Sequence, residues 1–289
     1  MTPATFEIVD VTELAVGQVL DVINTAFGRN ENAAWYEWKH REGPWGPSIG
    51  VAAVDADGPI GLRLLLPWRL RYGDQTFGCH RATEAATIPR AQGRGVFTAL
   101  NRWMMEEVDT DLIFSTPNLK SRTGYLKLGW REIAKVPHRW ELALRPRENE
   151  SAPELAPLRA PLRTDWDPAG LRWRADPRSG LVYHATSMDG GVLYYRTFRR
   201  RGIPVVAPLG SIAEPAQHAL LWRRMLSQSR APLVLRPATQ PAPTAGRPGI
   251  QRGESLILGW RPQQSATALP DWDFFRTVPW AAADIEGVI

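Results

Sequence analysis

The chain switches between two hydrophobic periods, and the switches predict its elements. Residues 6–9 read as a strand; 12–27 carry apolar residues at helical spacing, with Thr12 placed as N-cap. A second helix is expected over 33–42. Two strands then flank the turn Asp55-Ala56-Asp57-Gly58, a hairpin signal. Residues 79–88 predict a strand that Pro89 ends. Within 96–108, Val96, Leu100, Met104 and Val108 fall four apart, as on one face of an amphipathic helix. A short strand over 111–116, a helix over 119–129 closed by Gly129, and a strand-rich stretch over 130–144 follow.

Residues 145–170 hold Pro146, Pro153, Pro157, Pro161 and Pro168 with little periodicity, and read as a linker. Beyond them, 181–210 predict strands around Asp189-Gly190-Gly191, and 213–230 a helix. Strands are expected at 232–239 and 255–260, separated by a Pro/Gly-rich loop spanning 237–253. This order repeats the later part of the first half. The expected fold class is α/β (α+β): a mixed, mostly antiparallel central sheet flanked by helices, with a second domain of similar build. The expected domains are 1–145, a linker over 146–170, and 171–289.

Composition narrows the picture only a little. The 289 residues carry a net charge of +5 and a pI near 9.6, supplied almost wholly by arginine. Such basicity suits phosphate-bearing ligands or RNA, and equally a solvated surface. The single cysteine, Cys79, excludes an intrachain disulfide and fits a reducing compartment. It sits at a strand start without a motif and reads as buried and inert. No apolar run is long enough to span a membrane, and no leader pattern opens the chain, so a cytoplasmic protein without membrane contact is expected, monomeric or homodimeric. His40, His80, His138, His184 and His218 show no metal spacing, and no metal is expected. Arg196, Arg199, Arg200 and Arg201 with Arg223 and Arg224 make a basic patch, read first as a solvated face.

One stretch carries chemistry. Arg90-Ala91-Gln92-Gly93-Arg94-Gly95 follows a predicted strand and opens a predicted helix. Glycine lets the backbone approach a ligand and adopt positive φ, and the first amides of a helix have no intrahelical acceptor. Together they offer an anion cradle. The third glycine of a dinucleotide fingerprint and the lysine of a nucleoside-triphosphate loop are both missing. Taken alone, the turn also fits a plain tight strand–helix connection.

Context sharpens it. Residues 83–108 resemble motif A of the GNAT acyltransferase superfamily, with Arg90, Gly93 and Gly95 on the signature positions. Downstream, Asn118, Tyr125 and Lys127-Leu128-Gly129-Trp130 resemble the superfamily's later motif, in the expected order and separation. The resemblance covers about residues 5–144. Residues 35–46 are similar to the acceptor-lining segment of a tandem subgroup, and the second half resembles, by strand order, a degenerate copy of the same fold.

The resemblance implies an acyl-CoA donor, acetyl-CoA among them, and a small-molecule amine acceptor. The amides of Gln92, Gly93, Arg94, Gly95, Val96 and Phe97 would hold the pyrophosphate. The edge at Ala86, Thr87 and Ile88 would take the pantetheine arm as an added strand and polarise the thioester carbonyl. Asn118 would bond the arm or a neighbouring backbone group. Tyr125 stands at the general-acid position, and a phenol of pKa about 10 can protonate a thiolate whose thiol ionises at about 8.5. Glu84 is the base candidate, its alternative being an ion pair with a nearby arginine. The terminal carboxylate beyond Asp284 is a second candidate base. Trp35 and Trp38, with Trp45 and Trp68, would form an acceptor wall or simply pack a core. Two other readings stand beside this one: an aminoacyl-tRNA-dependent acyltransferase on the same scaffold, and a non-catalytic CoA-binding module.

Overall fold

The structure is a computed structural model and describes residues 6–143, 162–188, 190–240, 242–243, 248–262 and 271–285. The first half forms β1 (Glu7–Asp10), α1 (Val16–Phe27), α2 (Ala33–Tyr36), β2 (Ile49–Asp55), β3 (Gly58–Tyr72) and β4 (Gln75–Thr87). It continues through α3 (Val96–Glu107), β5 (Leu112–Ser115), α4 (Leu119–Lys127) and β6 (Arg131–Leu142). The second half adds β7 (Leu162–Thr164), α5 (Pro168–Arg174), β8 (His184–Met188), β9 (Gly191–Arg200) and β10 (Ile203–Ile212). It ends with α6 (Pro215–Ser229), β11 (Leu233–Pro237) and β12 (Gly249–Trp260). This is the expected mixed fold, a largely antiparallel open sheet with helices on its faces.

Two compact units share these elements, and they are interleaved in sequence. The first takes the described residues of Met1–Leu70, Phe77–Glu132 and Ile257–Leu269; the second takes those of Arg71–Thr76, Ile133–Leu256 and Pro270–Ile289.

In the first unit β1, β2 and β3 run antiparallel, and β4 lies between β3 and β5. β4 and β5 pair in parallel, Cys79 opposite Leu112 and Arg81 opposite Phe114. α3 makes the crossover between them, as a parallel pair requires. The far side of β5 takes the end of β12 antiparallel, Leu258 opposite Ser115. The expected stripe of α3 is buried at Val96, Leu100 and Met104, and Val96 and Leu100 pack on Val51, Ala53 and Ile60. Gly61 fixes how closely the helix seats: a Cβ there would lie 2.6 Å from Val96 Cγ1 and 2.9 Å from the Ala86 carbonyl oxygen.

The second unit repeats the theme. β8, β9 and β10 are antiparallel, and β10 pairs in parallel with β11, with α6 between them in sequence. β11 then takes β6 antiparallel, Leu233 opposite Leu142. α6 buries Leu221, Trp222, Met225 and Leu226 against Leu193, Val206 and Val234. Each parallel pair is therefore flanked by a strand from the other half of the sequence.

Several expected boundaries move, for local reasons. Thr12 is not the cap of α1. Asp10 and Glu13 close a capping box around a short 3-10 turn, Asp10 Oδ1 accepting from the Thr12 amide at 2.8 Å, so α1 starts after Ala15. The helix expected over 33–42 is α-helical only to Tyr36 and widens into a π-turn over Glu37–Arg41. The stretch read as linker holds β7 and α5, which starts at Asp167-Pro168 with Asp167 Oδ1 accepting from the Gly170 amide at 2.6 Å. Residues 144–161 lie outside the described residues. β12 begins at Gly249, inside the expected loop, because pairing rather than apolar alternation defines its first half. Among the described residues no helix is long and apolar enough to cross a membrane.

His218 on α6 gives the second unit a pH signature. Its Nε2 accepts from the Trp222 indole N–H at 3.1 Å, and burial pushes its pKa down to about 4. A folded pKa below the unfolded value of about 6.5 stabilises the fold above that value, and the contribution is lost as pH falls through about 4. The melting temperature should therefore drop between those limits, and His218→Gln should flatten that part of a calorimetric pH series. An unchanged slope in the variant would remove His218 as the cause.

Candidate active site

The glycine loop meets α3 as a bare helix N-terminus. After a 3-10 turn at Pro89–Ala91, Gly93 and Gly95 sit at φ 81° and 83°, in the left-handed region where a side chain is strained. Gly95 occupies the N-cap position without any side-chain cap, and the first intrahelical acceptor is used by Ala99, whose amide bonds Gly95 O at 3.0 Å. The amides of Gln92 and Arg94, two of those expected to face a phosphate, are taken inside the turn by Pro89 O at 3.2 Å and Ala91 O at 3.3 Å. Among the described residues Gly93, Gly95, Val96 and Phe97 have no backbone acceptor. Free amides converging on a helix N-terminus are an anion site in chemical terms.

A carboxylate that sequence reading left in a hairpin turn holds this loop in place. Asp55 accepts from Arg90 Nη1 at 2.8 Å and Nη2 at 3.2 Å, and from Arg94 Nη1 at 2.8 Å. These bonds hold its carboxyl well below the usual carboxylate range. Asp57 Oδ2 stands a further 3.8 Å from Arg90 Nη1, so two carboxylates face the two guanidiniums at this loop.

β4 supplies the next feature. Its register with β5 ends at Arg81, yet the strand runs on to Thr87. At Glu84 the backbone enters the left-handed region, φ 43°, a kink that costs about 1–3 kcal/mol for a non-glycine residue. Of the expected edge residues, Ile88 is already engaged, its amide bonding Ile60 O at 3.0 Å. Ala86 directs its carbonyl to β3, against Gly61. Strand alternation leaves Thr87 facing the other way, its carbonyl accepting from Gln92 Nε2 at 3.4 Å.

Tyr125 comes from α4 and is brought to the loop by aromatic packing. Its ring meets Phe97 edge-on at 5.3 Å and Trp130 at 4.7 Å, and the buried Arg63 guanidinium lies 5.3 Å over it. Arg63 is an unforeseen neighbour; it donates to Thr83 O at 3.4 Å. Asn118 caps α4, its Oδ1 accepting from the Ser121 amide at 2.9 Å, so it bonds a neighbouring backbone group as one of its two expected roles.

Glu84 is buried and paired, chiefly with a lysine rather than an arginine. Lys39 Nζ lies 2.5 Å from Oε1, and Arg29 Nη1 stands 3.8 Å from Oε2. The π-turn brings Lys39 there, and the ammonium also lies 5.0 Å over the Trp35 ring. Trp35, Trp38 and Trp68 are buried core residues, Trp68 packing on Trp45 at 5.0 Å. Cys79 is buried, with its thiol pushed up by desolvation. Of the C-terminal tail, Glu286–Ile289 lie outside the described residues. Asp284 is buried and accepts from the Trp166 indole at 2.8 Å. Among the described residues no cluster of three or more His, Cys, Asp or Glu is placed to hold a metal.

The Asp55 clamp has a testable pH dependence. A folded pKa below the unfolded one stabilises above about pH 4 and is lost on further acidification. Asp55→Asn should melt a few degrees lower than the parent at pH 7, with the gap closing as pH falls below about 4 in a circular-dichroism series. A gap independent of pH would show that the ionised carboxylate is not what matters.

Comparison with known proteins bears on the fold and on the first half of the chain. A family model described as acetyltransferase (GNAT) domain matches residues 7–133. No curated protein matches the chain by sequence. Among solved structures, a GCN5-related N-acetyltransferase from Kribbella flavida superposes with TM-score 0.66 at 16% identity, covering 89% of this chain and 72% of its own. A probable N-acyltransferase from Enterococcus faecalis gives 0.68 at 11% identity, covering 89% and 72%. Eis1 from Mycobacterium abscessus gives 0.60 at 13% identity, covering 88% and 73%. These likenesses show the fold, and the family model falls on the residues that build the loop, the β4 edge and Tyr125. Residues 7–133 thus match the model of a GNAT acetyltransferase domain, and the fold of the chain is that of GCN5-related N-acetyltransferases.

Proposed function

We propose that the protein transfers an acetyl or other acyl group from acyl-CoA to an amine of a small molecule. The observation that carries this reading is the set of free amides at Gly93, Gly95, Val96 and Phe97, beside the length of β4 that runs past its pairing with β5. The diphosphate of the donor fits the free amides at the α3 terminus. Its extended arm fits the edge at Thr87 as an added strand.

The amine nitrogen attacks the thioester carbonyl carbon, the C–N bond forms, and the C–S bond breaks. Tyr125 gives its proton to the departing thiolate and regains one from solvent. The acceptor's proton falls to Glu84, which acts out of its ion pair with Lys39. Because Glu84 also anchors Lys39, Tyr125 is the cleaner residue to probe. The π-turn segment beside Glu84 is the proposed acceptor side.

Calorimetric titration with acetyl-CoA should give micromolar binding. Gly95→Trp should weaken it by about tenfold or more. Tyr125→Phe should keep donor affinity and lose about 100-fold in thiol release with an accepted amine. Silence with acetyl-CoA alongside steeply salt-dependent tRNA binding would move the donor to aminoacyl-tRNA. Donor binding with no thiol release for any amine would make the chain a binding module.

A further inference from the structure

The second unit contains a cleft of about 410 Å³ lined by none of the residues assigned above to acyl transfer. Its volume falls within the range of about 300–1,000 Å³ usual for small-molecule sites. The floor is apolar, built from Trp140 and Leu142 of β6, Ile203 of β10 and Ile250 of β12. Leu142, Ile203 and Ile250 are 46%, 47% and 64% exposed. Single exposed apolar residues need no explanation, but several around one cleft mark a surface that something covers.

The rim is cationic. Arg200, Arg201 and Arg252 line the cleft. The Arg200 guanidinium stacks 4.9 Å over the Trp140 ring, which fixes its charge beside the floor. Arg201 holds φ 50° in the tight turn with Gly202 at φ 81°, a place where asparagine or glycine is usual. Among the described residues no carboxylate pairs with any of the three arginines. The carboxylate in the lining, Glu141, has a side chain with no exposure and is held by Arg139 Nε at 2.5 Å and Arg236 Nη2 at 2.7 Å. Its charge is neutralised internally and does not balance the rim.

We propose that this cleft binds a small amphipathic anion, an aliphatic or aromatic body on the floor with a carboxylate or comparable head on the arginines. Charge complementarity selects the head, and the exposed floor selects the body. A polyanion such as RNA fits less well, because the other arginines of the sequence patch have different partners. Arg199 donates to Gly202 O at 2.8 Å, Arg196 stacks on Phe198 at 4.9 Å, and Arg224 donates to Ser187 O at 2.7 Å.

The test uses the full-length protein and the fluorescent anion 1-anilinonaphthalene-8-sulfonate, in competition with octanoate, its neutral counterpart octanamide, and poly(U). One saturable site is expected, displaced about tenfold better by octanoate than by octanamide. Ile250→Glu and the double variant Arg200→Ser/Arg252→Ser should each weaken probe binding by about tenfold or more, with melting temperature unchanged. The first changes an exposed floor residue and the second the rim, so loss in both arises from the cleft rather than from unfolding. Non-saturable binding, wild-type affinity in both variants, or equal competition by octanamide would overturn the proposal. Displacement by poly(U) but not by octanoate would replace it with an RNA surface. None of these outcomes depends on acyl-CoA binding or turnover.

Discussion

The site depends on where the parallel pairing of β4 with β5 stops. A parallel pair needs a crossover, and α3 is that crossover, so its N-terminus lies at the end of β4. Had the pairing continued to Thr87, the strand edge would be satisfied by protein and closed to a ligand. Because it ends at Arg81 and the backbone kinks at Glu84, the edge and the free amides of the α3 terminus open side by side. Gly61 completes the arrangement from beneath by letting Val96 close onto β3. Three backbone features, a short register, a kink and a missing Cβ, do more to shape this candidate site than any single side chain.

Charge is then placed on that frame in two ways. At the loop, Asp55 ties Arg90 and Arg94 together, with Asp57 as a further partner of Arg90. Beside the kink, Lys39 and Glu84 neutralise each other in a buried pair. Breaking such a pair costs far more than an exposed pair contributes, since the surviving charge is left without solvent. The pair therefore fastens the π-turn segment to β4, and any proton transfer at Glu84 works against that fastening.

Much of this was legible in the chain, because the signals were local. The fours of Val96, Leu100 and Met104, the Gly93–Gly95 spacing, the Asp55–Gly58 turn and the Gly129 stop each follow from a few neighbouring residues, and each lies where the pattern put it. What was hidden was set by partners distant in sequence. Asp55 reads as a turn residue until Arg90 and Arg94 fold onto it. Glu84 reads as a base or as the partner of an arginine, and nothing local says that a π-turn delivers Lys39 to it. Arg63, alternating with leucines, gives no hint that it ends beneath Tyr125. Asp167-Pro168 was a different case, a local cap-and-proline signal obscured by the prolines around it.

The exchange of strands belongs to the hidden class and carries the larger consequence. β5 is four residues long and wholly buried, and one of its edges faces β4. The other edge would leave backbone donors and acceptors unsatisfied, at a cost of a few kcal/mol for each buried group. Leu258–Trp260, more than 140 residues later, meet that need. In the second unit β6 does the same for β11. A strand that completes a sheet from so far along the chain forms late, because long loop closure precedes its gain. The sheet of the first unit is thus finished only after β12, the last long strand, has been made, although the glycine loop and Tyr125 lie in the first half of the sequence.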